Sequence, residues 1–441
     1  MTAGGWTPEA PQSDRRAERR TVTARTTSSP QILADDGVPL KQKLARVERR
    51  DKLLFFGLSL PLLSFVTITF IVPIGMMMVR SVHIPIAVET VPRTLDALRA
   101  WDGVEPPDEV LFGTLAAEML GAGRSGAVGK LATQLNYVLP GSRSTVTRTA
   151  RRLRRYDGDQ YKEFMISVDA RWATPEIWAA LRNLDARYSL FNYLTAFDHR
   201  YDRDGGYVPR DARERIYVPL LVKTIAMSLL ITGACILLAY PIAYQLANLP
   251  ARTANLLMIL VLLPFWTSLL VRTTSWIVLL QSQGTINDIL VWAGVLDDES
   301  RIQMIYNMFG TVVAMVHIML PFMILPLYSV MAGIAPDYMR AAESLGATRN
   351  RAFVTVYFPQ TVPGLGAGSI LVFILSIGYY ITPALVGGRT GQFISNAIAY
   401  HMQQSLNWGL AAALGCVLLV CVLAMYWLYS RFIGIDNMKM G

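Results

Sequence analysis

Charged residues are scarce in this sequence of 441 residues, at 17% of the total, where a soluble domain usually carries roughly a quarter. The scarcity is uneven, because long stretches contain almost no charge while others are dense in Arg and Asp. A spanning helix needs about 20 mostly apolar residues, so a bilayer imposes this kind of segregation. The sequence therefore predicts an integral membrane protein with sizeable soluble parts and excludes an ordinary soluble domain.

Cysteines and catalytic motifs are also scarce. The three cysteines, Cys235, Cys416 and Cys421, fall in apolar runs and show neither a disulfide framework nor metal-ligand spacing. Residues 121–126 match the dinucleotide fingerprint, but no convincing strand precedes them, and we interpret them as a flexible turn. No Walker A sequence, zinc-protease motif or serine elbow appears. We therefore expect no catalytic residue, metal or cofactor, and no ATPase site in this chain.

Much of the formal net charge of +9 lies in the first 52 residues. Basic residues beside a first spanning helix usually set topology and contact anionic lipid, so we do not interpret them as a nucleic-acid site. Residues 1–52 are predicted to form a basic cytoplasmic tail, disordered to about Leu40. The apolar run that follows is of spanning length, which indicates an uncleaved helix and not a signal peptide.

Six apolar runs are candidates for membrane-spanning helices, at 53–79, 217–247, 254–280, 306–332, 365–386 and 408–432. The sequence thus predicts an all-α integral membrane protein, with a core at 217–441 and a large insert at 80–216 between its first and second helices. The basic short segments should share the cytoplasmic side, whereas long loops translocate largely regardless of charge. Both termini are therefore predicted to be cytoplasmic, and the insert, long enough for a small folded subdomain, is predicted to be periplasmic.

The loop at 333–364 carries the most informative pattern in the sequence. Pro336 suits a helix start, Ala341 and Ala342 can share a small apolar face, and Gly346 lets the chain turn. A second short helix is expected to end before Pro359. A helix–glycine–helix knob of this kind exposes small residues, so a partner protein can approach it closely.

The spacing of Ala341-Ala342, Gly346 and Val356-x-Phe358-Pro359 resembles the signature loop of ATP-binding-cassette importer permeases. That family has Glu-Ala-Ala, three residues, Gly, nine residues and Ile-x-Leu-Pro, and this chain departs from it where Arg340 replaces the glutamate. The resemblance implies the type I importer permease fold and a coupling helix that sits in a cleft of the cytoplasmic ATPase. It assigns the ATPase contact to Pro336, Arg340, Ala341, Ala342, Glu343, Gly346 and Pro359.

Other segments resemble the spermidine/putrescine branch of this family, at 263–272, 284–297 and 376–388. The resemblance covers about Tyr217 to the C-terminus and the first helix, and leaves the 80–216 insert outside. It implies a multi-pass permease of the bacterial inner membrane that imports polyamines. The implied partners are cytoplasmic ABC ATPase subunits, a second permease subunit, a periplasmic substrate-binding protein and membrane lipid, with no nucleic acid.

Five residues are candidates for the substrate pathway. Arg272 lies in an apolar run, where it could line the pathway, pair with a carbonyl at an unwound turn near Pro264, or snorkel to headgroups. Aromatic rings could face an ammonium group, although membrane belts and helix packing use the same residues: Trp266, Trp276, Tyr379 and Tyr380. Lys223 and His317 are interpreted as interfacial or packing residues. No Asp or Glu lies deep in a spanning run, so this subunit alone offers no counter-charge.

Several alternatives stay open at this point. A similar permease could carry an opine, an amino-acid derivative or a phosphonate. A membrane-anchored sensor or assembly protein would place the function in the 80–216 insert, with no ATPase partner and tolerance of changes at Gly346. An intramembrane enzyme is disfavoured because the sequence shows no catalytic constellation.

Overall fold

The computed structural model describes residues 40–123, 126–202 and 206–433, and within these ranges it describes side chains from Glu48 to Arg431. Most of the predicted tail, the C-terminal residues 434–441 and part of the 121–126 turn lie outside these residues. The chain divides into two units, Met1–Pro73 and Ile74–Gly441.

The first unit is helical throughout its described part. Helix α1 (Leu40–Val66) passes through a π turn at Thr67–Ile71 into α2 (Val72–Val82). The apolar stretch Glu48–Val82 buries none of its 18-residue apolar window within the protein, and Leu58 is 82% exposed. Such a helix is stable only in a hydrocarbon environment, as expected for the predicted first span.

The spanning part of the second unit contains long apolar helices and shorter ones that connect them. The long helices are α11 (Tyr217–Asn248), α15 (Met308–Ala332), α18 (Phe358–Gly378) and α21 (Trp408–Ile433). The shorter ones are α12 (Ala251–Trp266), α13 (Leu269–Leu280), α14 (Thr285–Trp292), α16 (Asp337–Ser344), α17 (Arg349–Ala352), α19 (Ile381–Val386) and α20 (Ile394–Gln403), with a 3₁₀ turn at Asp298–Ser300. Within the described residues, five helices are long and apolar enough to span a membrane, and a bent pair raises the number to six.

Two predicted spans differ from the structure in their continuity. The run at 254–280 is broken, and the axis bends by 97° between Ala251–Trp266 and Leu269–Trp292. The expectation that a short helix ends before Pro359 is wrong, because the helix continues from Arg349 to Gly378 through a π turn at Phe353–Tyr357. Pro359 stands at the start of α18, directly after that turn, where the missing N–H of proline is tolerated best.

Close helix contact in this core depends on glycine. A Cβ on Gly364 would lie 2.9 Å from Cβ of Val330, and one on Gly368 would lie 2.7 Å from Sδ of Met323. Helices α15 and α18 therefore approach more closely than larger residues would allow, the usual packing mode in a bilayer. Buried apolar residues of α11 and α15 complete this cluster, among them Met227, Ile231, Met319 and Leu327.

The insert forms its own helical core. Its helices are α3 (Ile86–Thr90), α4 (Pro92–Arg99), α5 (Glu109–Ala122), α6 (Ala127–Val138), α7 (Ser142–Leu153), α8 (Tyr161–Val168), α9 (Pro175–Arg182) and α10 (Phe191–Ala196), with a 3₁₀ turn at Ala170–Ala173. Trp172, Trp178 and Phe112 are fully buried at its centre, and the Phe112 and Trp178 ring centroids lie 4.6 Å apart. The Trp172 indole donates to Thr149 Oγ1 at 2.8 Å, which satisfies its polar atom inside the core.

A short hairpin and one carboxylate connect the insert to the second unit's first long helix. Strands β1 (His199–Tyr201) and β2 (Tyr207–Pro209) pair antiparallel, with Arg200 opposite Val208. Asp198, buried and with φ of 56°, accepts from the backbone N–H groups of residues 216, 217 and 218 at 3.0, 3.1 and 2.8 Å. These are donors at the N-terminus of α11 that have no partner within the helix, so Asp198 fixes where this helix begins.

Candidate functional site

The predicted coupling loop is a helical knob closed by a left-handed glycine. Helix α16 begins after Pro336 and ends at Ser344, and Gly346 has φ of +90°. The N–H of Gly346 donates to the carbonyl of Glu343 at 2.9 Å, and that of Ala347 to the carbonyl of Ala342 at 3.1 Å. Only glycine adopts this conformation without strain, which explains the turn that the sequence pattern predicts.

The outward face of this knob is uncovered. Leu345 is 90% exposed, and a Cβ at Gly346 would meet no atom within 4 Å. Ala341 is exposed, whereas Ala342 is half-buried. Arg340 and Asp337 form an ion pair at 3.2 Å between two exposed side chains, which contributes little to stability. This face therefore has open space around its leucine and its glycine.

The inward side of the knob is anchored to the spanning helices. Met339 and Phe353 pack against the core cluster of α11 and α15. The Phe353 ring lies 5.6 Å from Tyr244 and 5.5 Å from Tyr357, between centroids. These ring contacts connect the segment that follows α16 to α11.

The break between α12 and α13 is held by Arg272. Its guanidinium donates to the carbonyls of Pro264 and Thr267, the latter at 3.0 Å, and through Nε to Thr267 Oγ1 at 3.4 Å. Ser268 accepts from the N–H of Val271 at 3.2 Å and caps the start of α13. The arginine thus satisfies carbonyls that the broken helix leaves without partners, which matches the carbonyl pairing considered from the sequence.

A cavity of about 480 Å³ lies between α11, α12 and α15. Its lining is apolar apart from the side chains of Gln245 and His317, and it includes the helix prolines Pro241, Pro264 and Pro321. The Trp276 indole donates to Nδ1 of His317 at 3.1 Å, with the two rings edge to face at 5.3 Å. This hydrogen bond fixes the orientation of a half-buried imidazole that lines the cavity.

The other aromatic candidates are dispersed. Trp266 is 88% exposed at the end of α12 and does not line the cavity. Tyr379 packs against the core at the end of α18, and its carbonyl accepts from Ser395 Oγ at 2.7 Å. Tyr380 is more exposed, and its carbonyl accepts from Asn396 at 2.8 Å. The structure therefore places Trp276 against His317 and Arg272 against the carbonyl of Pro264, two residues that line the cavity, but does not gather all five pathway candidates in one place.

His317 and Gln245 line the cavity, and neither was among the pathway candidates predicted from the sequence. Both are single polar residues in long apolar runs, and His317 was interpreted as an interfacial or packing residue. An intramembrane polar residue is a candidate for function by default, and that signal was available for both.

The segment 284–297 is ordered by a buried amide and an arginine. Asn287 donates to the carbonyls of Gln281 and Ile302, at 3.2 and 2.9 Å. Arg301 contacts Asp288 at 2.7 Å and Asp298 at 2.8 Å. The hydrogen bonds from Arg301 to these two carboxylates raise the pKa of its guanidinium. This network ties α14 to residues 298–302, which precede α15, and gives the segment a defined shape.

Comparison with known proteins gives one family and several relatives. The family described as "Binding-protein-dependent transport system inner membrane component" matches residues 236–433. The chain is 34% identical over 222 residues to the "Spermidine/putrescine transport system permease protein PotB" of Escherichia coli (strain K12), covering 50% of this chain and 80% of that protein. It is 32% identical over 224 residues to the protein of that name from Haemophilus influenzae, covering 51% and 78%.

More distant relatives carry other names. A "Probable sulfate transport system permease protein cysT" of Prototheca wickerhamii is 27% identical over 141 residues, covering 32% of this chain and 55% of that protein. Among solved structures, a bacterial ABC transporter "involved in the import of the acidic polysaccharide alginate" aligns with a TM-score of 0.39 and 21% identity, covering 48% of this chain and 79% of the other.

Proposed function

The chain belongs to the family of binding-protein-dependent transport system inner membrane components, and from that membership we propose that it is the permease subunit of an ABC importer for polyamines. The observation that carries the substrate class is 34% identity over four-fifths of a spermidine/putrescine permease. In this function the chain performs no chemistry of its own. It provides half of a transmembrane pathway that opens alternately to the two sides of the bacterial inner membrane.

ATP hydrolysis by partner subunits drives the change through the 336–347 knob. A cytoplasmic ABC ATPase covers Leu345 and approaches Gly346 closely, because neither side chain volume nor an existing contact obstructs that face. Movement of the ATPase then tilts α11 and α18 through Phe353 and Tyr357. This assignment places both termini and the knob in the cytoplasm, and the insert in the periplasm.

The remaining partners follow from the same assignment. A second permease subunit completes the pathway, and a periplasmic binding protein delivers the substrate. No carboxylate lines the 480 Å³ cavity among the described residues, so this subunit does not bind a cation tightly by charge. Most of the affinity for a polyamine then belongs to the binding protein, while His317, Trp276 and nearby backbone carbonyls offer weak sites for passage.

Uptake of labelled putrescine and spermidine by cells that express the intact operon tests the proposal. We expect uptake in the parent strain and its loss in a Gly346→Asp variant that still reaches the membrane. The matched control is Gly294→Asp, because Gly294 also has positive φ, +72°, and no atom within 4 Å of an added Cβ. That substitution introduces the same strain and charge at a site outside the 336–347 knob.

Each outcome has a distinct meaning. Uptake that survives in Gly346→Asp but not in Gly294→Asp would contradict the coupling role. A parent strain that takes up no polyamine would exclude the polyamine assignment, and a screen of opines, amino-acid derivatives and phosphonates would follow. Gly346→Asn should retain more uptake than Gly346→Asp, since asparagine tolerates the left-handed conformation better and adds no charge.

A further inference from the structure

A groove of about 830 Å³ lies where the insert meets the start of the last apolar helix. One face of α6 forms its wall, with Lys130, Gln134 and Tyr137 at helical spacing. The opposite side comes from the end of α2, at Arg80, and from the start of α21, at Trp408. The groove belongs neither to the coupling knob nor to the cavity at His317.

The charge of this groove has one sign. Arg80, Lys130 and Arg143 line it, and no Asp or Glu of the described residues does so. None of these three cations forms an ion pair within the part of the chain that the structure describes. The insert as a whole mixes acids and bases in near balance, so such a separation of charge favours an anionic ligand.

A buried amide lies among these cations. Gln134 is 6% exposed, and its Oε1 and Nε2 have no hydrogen-bond partner among the described residues. A buried polar group without a partner costs free energy of folding, so its retention calls for a ligand that satisfies it. The Tyr137 hydroxyl is already occupied, since it donates to the carbonyl of Ser405 at 3.1 Å. Gln134 therefore holds an amide without a partner, enclosed in the wall of a basic groove.

The position of the groove indicates the source of the anion. Arg80 stands in the last turn of the apolar stretch Glu48–Val82, and Trp408 opens the stretch Trp408–Arg431. Ends of spanning helices lie at the level of lipid headgroups, where Arg and Trp are the usual residues. Ile84, Ile86 and Leu406 add apolar surface to the same lining. A lipid presents both a phosphate and an apolar body, whereas a free anion makes no use of that surface.

We propose that this groove binds the phosphate headgroup of an anionic phospholipid from the leaflet on the insert's side. Arg80, Lys130 and Arg143 supply the charge, and the apolar lining receives the glycerol and upper acyl region. On binding, the Gln134 side chain turns its enclosed amide toward the groove, where Nε2 donates to a phosphate oxygen. The bound lipid holds the insert to the membrane surface beside the last span. The proposal rests on the membrane placement in the proposed function and not on the identity of the substrate.

Native mass spectrometry of the delipidated full-length chain tests this assignment. The chain is titrated with phosphatidylglycerol and, separately, with phosphatidylcholine of the same acyl composition. We expect preferential binding of one phosphatidylglycerol. Arg143→Gln and Lys130→Gln should each weaken it about fivefold, the equivalent of roughly 1 kcal/mol per juxtamembrane basic residue. Arg151→Gln is the matched control, because Arg151 is exposed on the same helix as Arg143 and outside the groove.

The Gln134→Leu variant distinguishes a ligand-binding role of Gln134 from a role in the stability of the fold. Replacement of an unsatisfied buried amide by an apolar side chain should leave the melting temperature equal or higher. The same variant should bind phosphatidylglycerol severalfold less tightly, which a merely structural Gln134 would not produce. Lower affinity together with a lower melting temperature would instead assign Gln134 to the fold and contradict its role as a donor.

Three results would overturn the proposal. Equal affinity for both lipids, or unchanged phosphatidylglycerol binding in the groove variants, would remove the lipid site. Full displacement by inorganic phosphate would identify a site for a free anion. Weaker capture of the binding protein, with lipid binding intact, would make the groove a docking surface for an acidic protein. Absent polyamine uptake with lipid binding intact would count against the proposed function alone.

Discussion

The insert and the spanning core of this chain place their apolar side chains in opposite ways. In the insert Trp178 is completely buried and Phe112 packs against it. In the core Leu237 of α11 is 75% exposed, and only a third of the apolar window of that helix is buried. Water drives the first arrangement, whereas hydrocarbon solvates leucine as well as a protein interior does. Apolar side chains are therefore buried where the surroundings are water and exposed where the surroundings are hydrocarbon, within one chain.

Polar groups differ between the two regions as well. Two buried hydroxyls of α11 and α13 donate to carbonyls of their own helix. Thr232 donates to the carbonyl of Ser228 at 2.7 Å, and Thr273 donates to that of Leu269 at 2.8 Å. In the insert, Glu118 instead accepts from the backbone and side chain of Thr94, on another helix. A bilayer offers no water to a polar group, and these two hydroxyls are satisfied within a single helix, whereas Glu118 links two helices of the insert.

The largest expected effect tests this comparison with one substitution made in each region. Trp178→Ala should destabilise the insert by about 3–5 kcal/mol, because it opens a cavity in a closed core. Trp292→Ala should change the stability of the isolated subunit by less than about 0.5 kcal/mol, because that side chain is 88% exposed. Limited proteolysis and thermal unfolding in detergent measure both. Similar losses in the two variants would mean that the exposed face of α14 is packed like a core.

The second effect concerns two arginines in different surroundings. Arg272→Met removes the charge-assisted hydrogen bonds that hold the 97° break, each contributing about 1.5–3 kcal/mol. We expect a marked fall in melting temperature and in uptake, with partial recovery in Arg272→Lys, which can still donate to one carbonyl. Arg151→Met on the insert surface is the control and should have little effect on either measurement. A stable, active Arg272→Met protein would show that the break does not need its arginine.

The third effect lies at the junction of the two regions. Asp198→Ala removes the acceptor for three backbone N–H groups at the start of α11 and places alanine at positive φ. We expect a loss of about 2 kcal/mol, the upper end for a helix cap, and a smaller loss for Asp198→Asn. Chemical unfolding in mixed micelles compares these variants with Asp211→Ala, an exposed carboxylate nearby. Equal stability of the Asp198 and Asp211 variants would contradict the capping role.

The smallest effect is pH-dependent and lies in the connection before α21. Burial lowers the pKa of His401, whose ring contacts Tyr217 at 2.9 Å and Ser405 at 2.8 Å. At a pH between the lowered pKa of the folded chain and the ordinary pKa of about 6.5, His401 binds a proton more readily in the unfolded chain. The free energy of unfolding therefore falls as the pH decreases from 6.5. The slope contributed by one group is at most about 1.4 kcal/mol per pH unit. His401→Gln should remove this part of the pH dependence, and an unchanged slope would exclude the histidine as its source.

Much of the spanning core could be predicted from the sequence. The ends of α11, α15 and α21 lie within a few residues of the predicted spans, because apolar length is a strong local signal. An unwound turn near Pro264 was one of the alternatives considered from the sequence, but the 97° break at Thr267 and the continuous helix through Pro359 were not predicted. Each of these features depends on which groups form hydrogen bonds with the backbone atoms that lose their helical partners. At the break, the side chain of Arg272 provides those hydrogen bonds.

The candidate sites divide in the same way. Gly346 could be identified from its spacing, and its left-handed conformation is a local property of the turn. His317 and Gln134 received too little attention or none, since their importance comes from what surrounds them. A single glutamine on an amphipathic helix carries no signal until the structure shows that its amide has no partner.

The sequence by itself determined that the chain enters a membrane, where its spans lie, and which loop turns at a glycine. These properties depend on composition and on neighbours a few residues away, so they can be read along the chain. Only the tertiary structure decided that Arg272 closes a broken helix, that Asp198 connects the insert to α11, and that three cations gather around Gln134. Each of these brings together groups from different turns or elements, and whether a polar group is satisfied depends on the partners that folding places beside it.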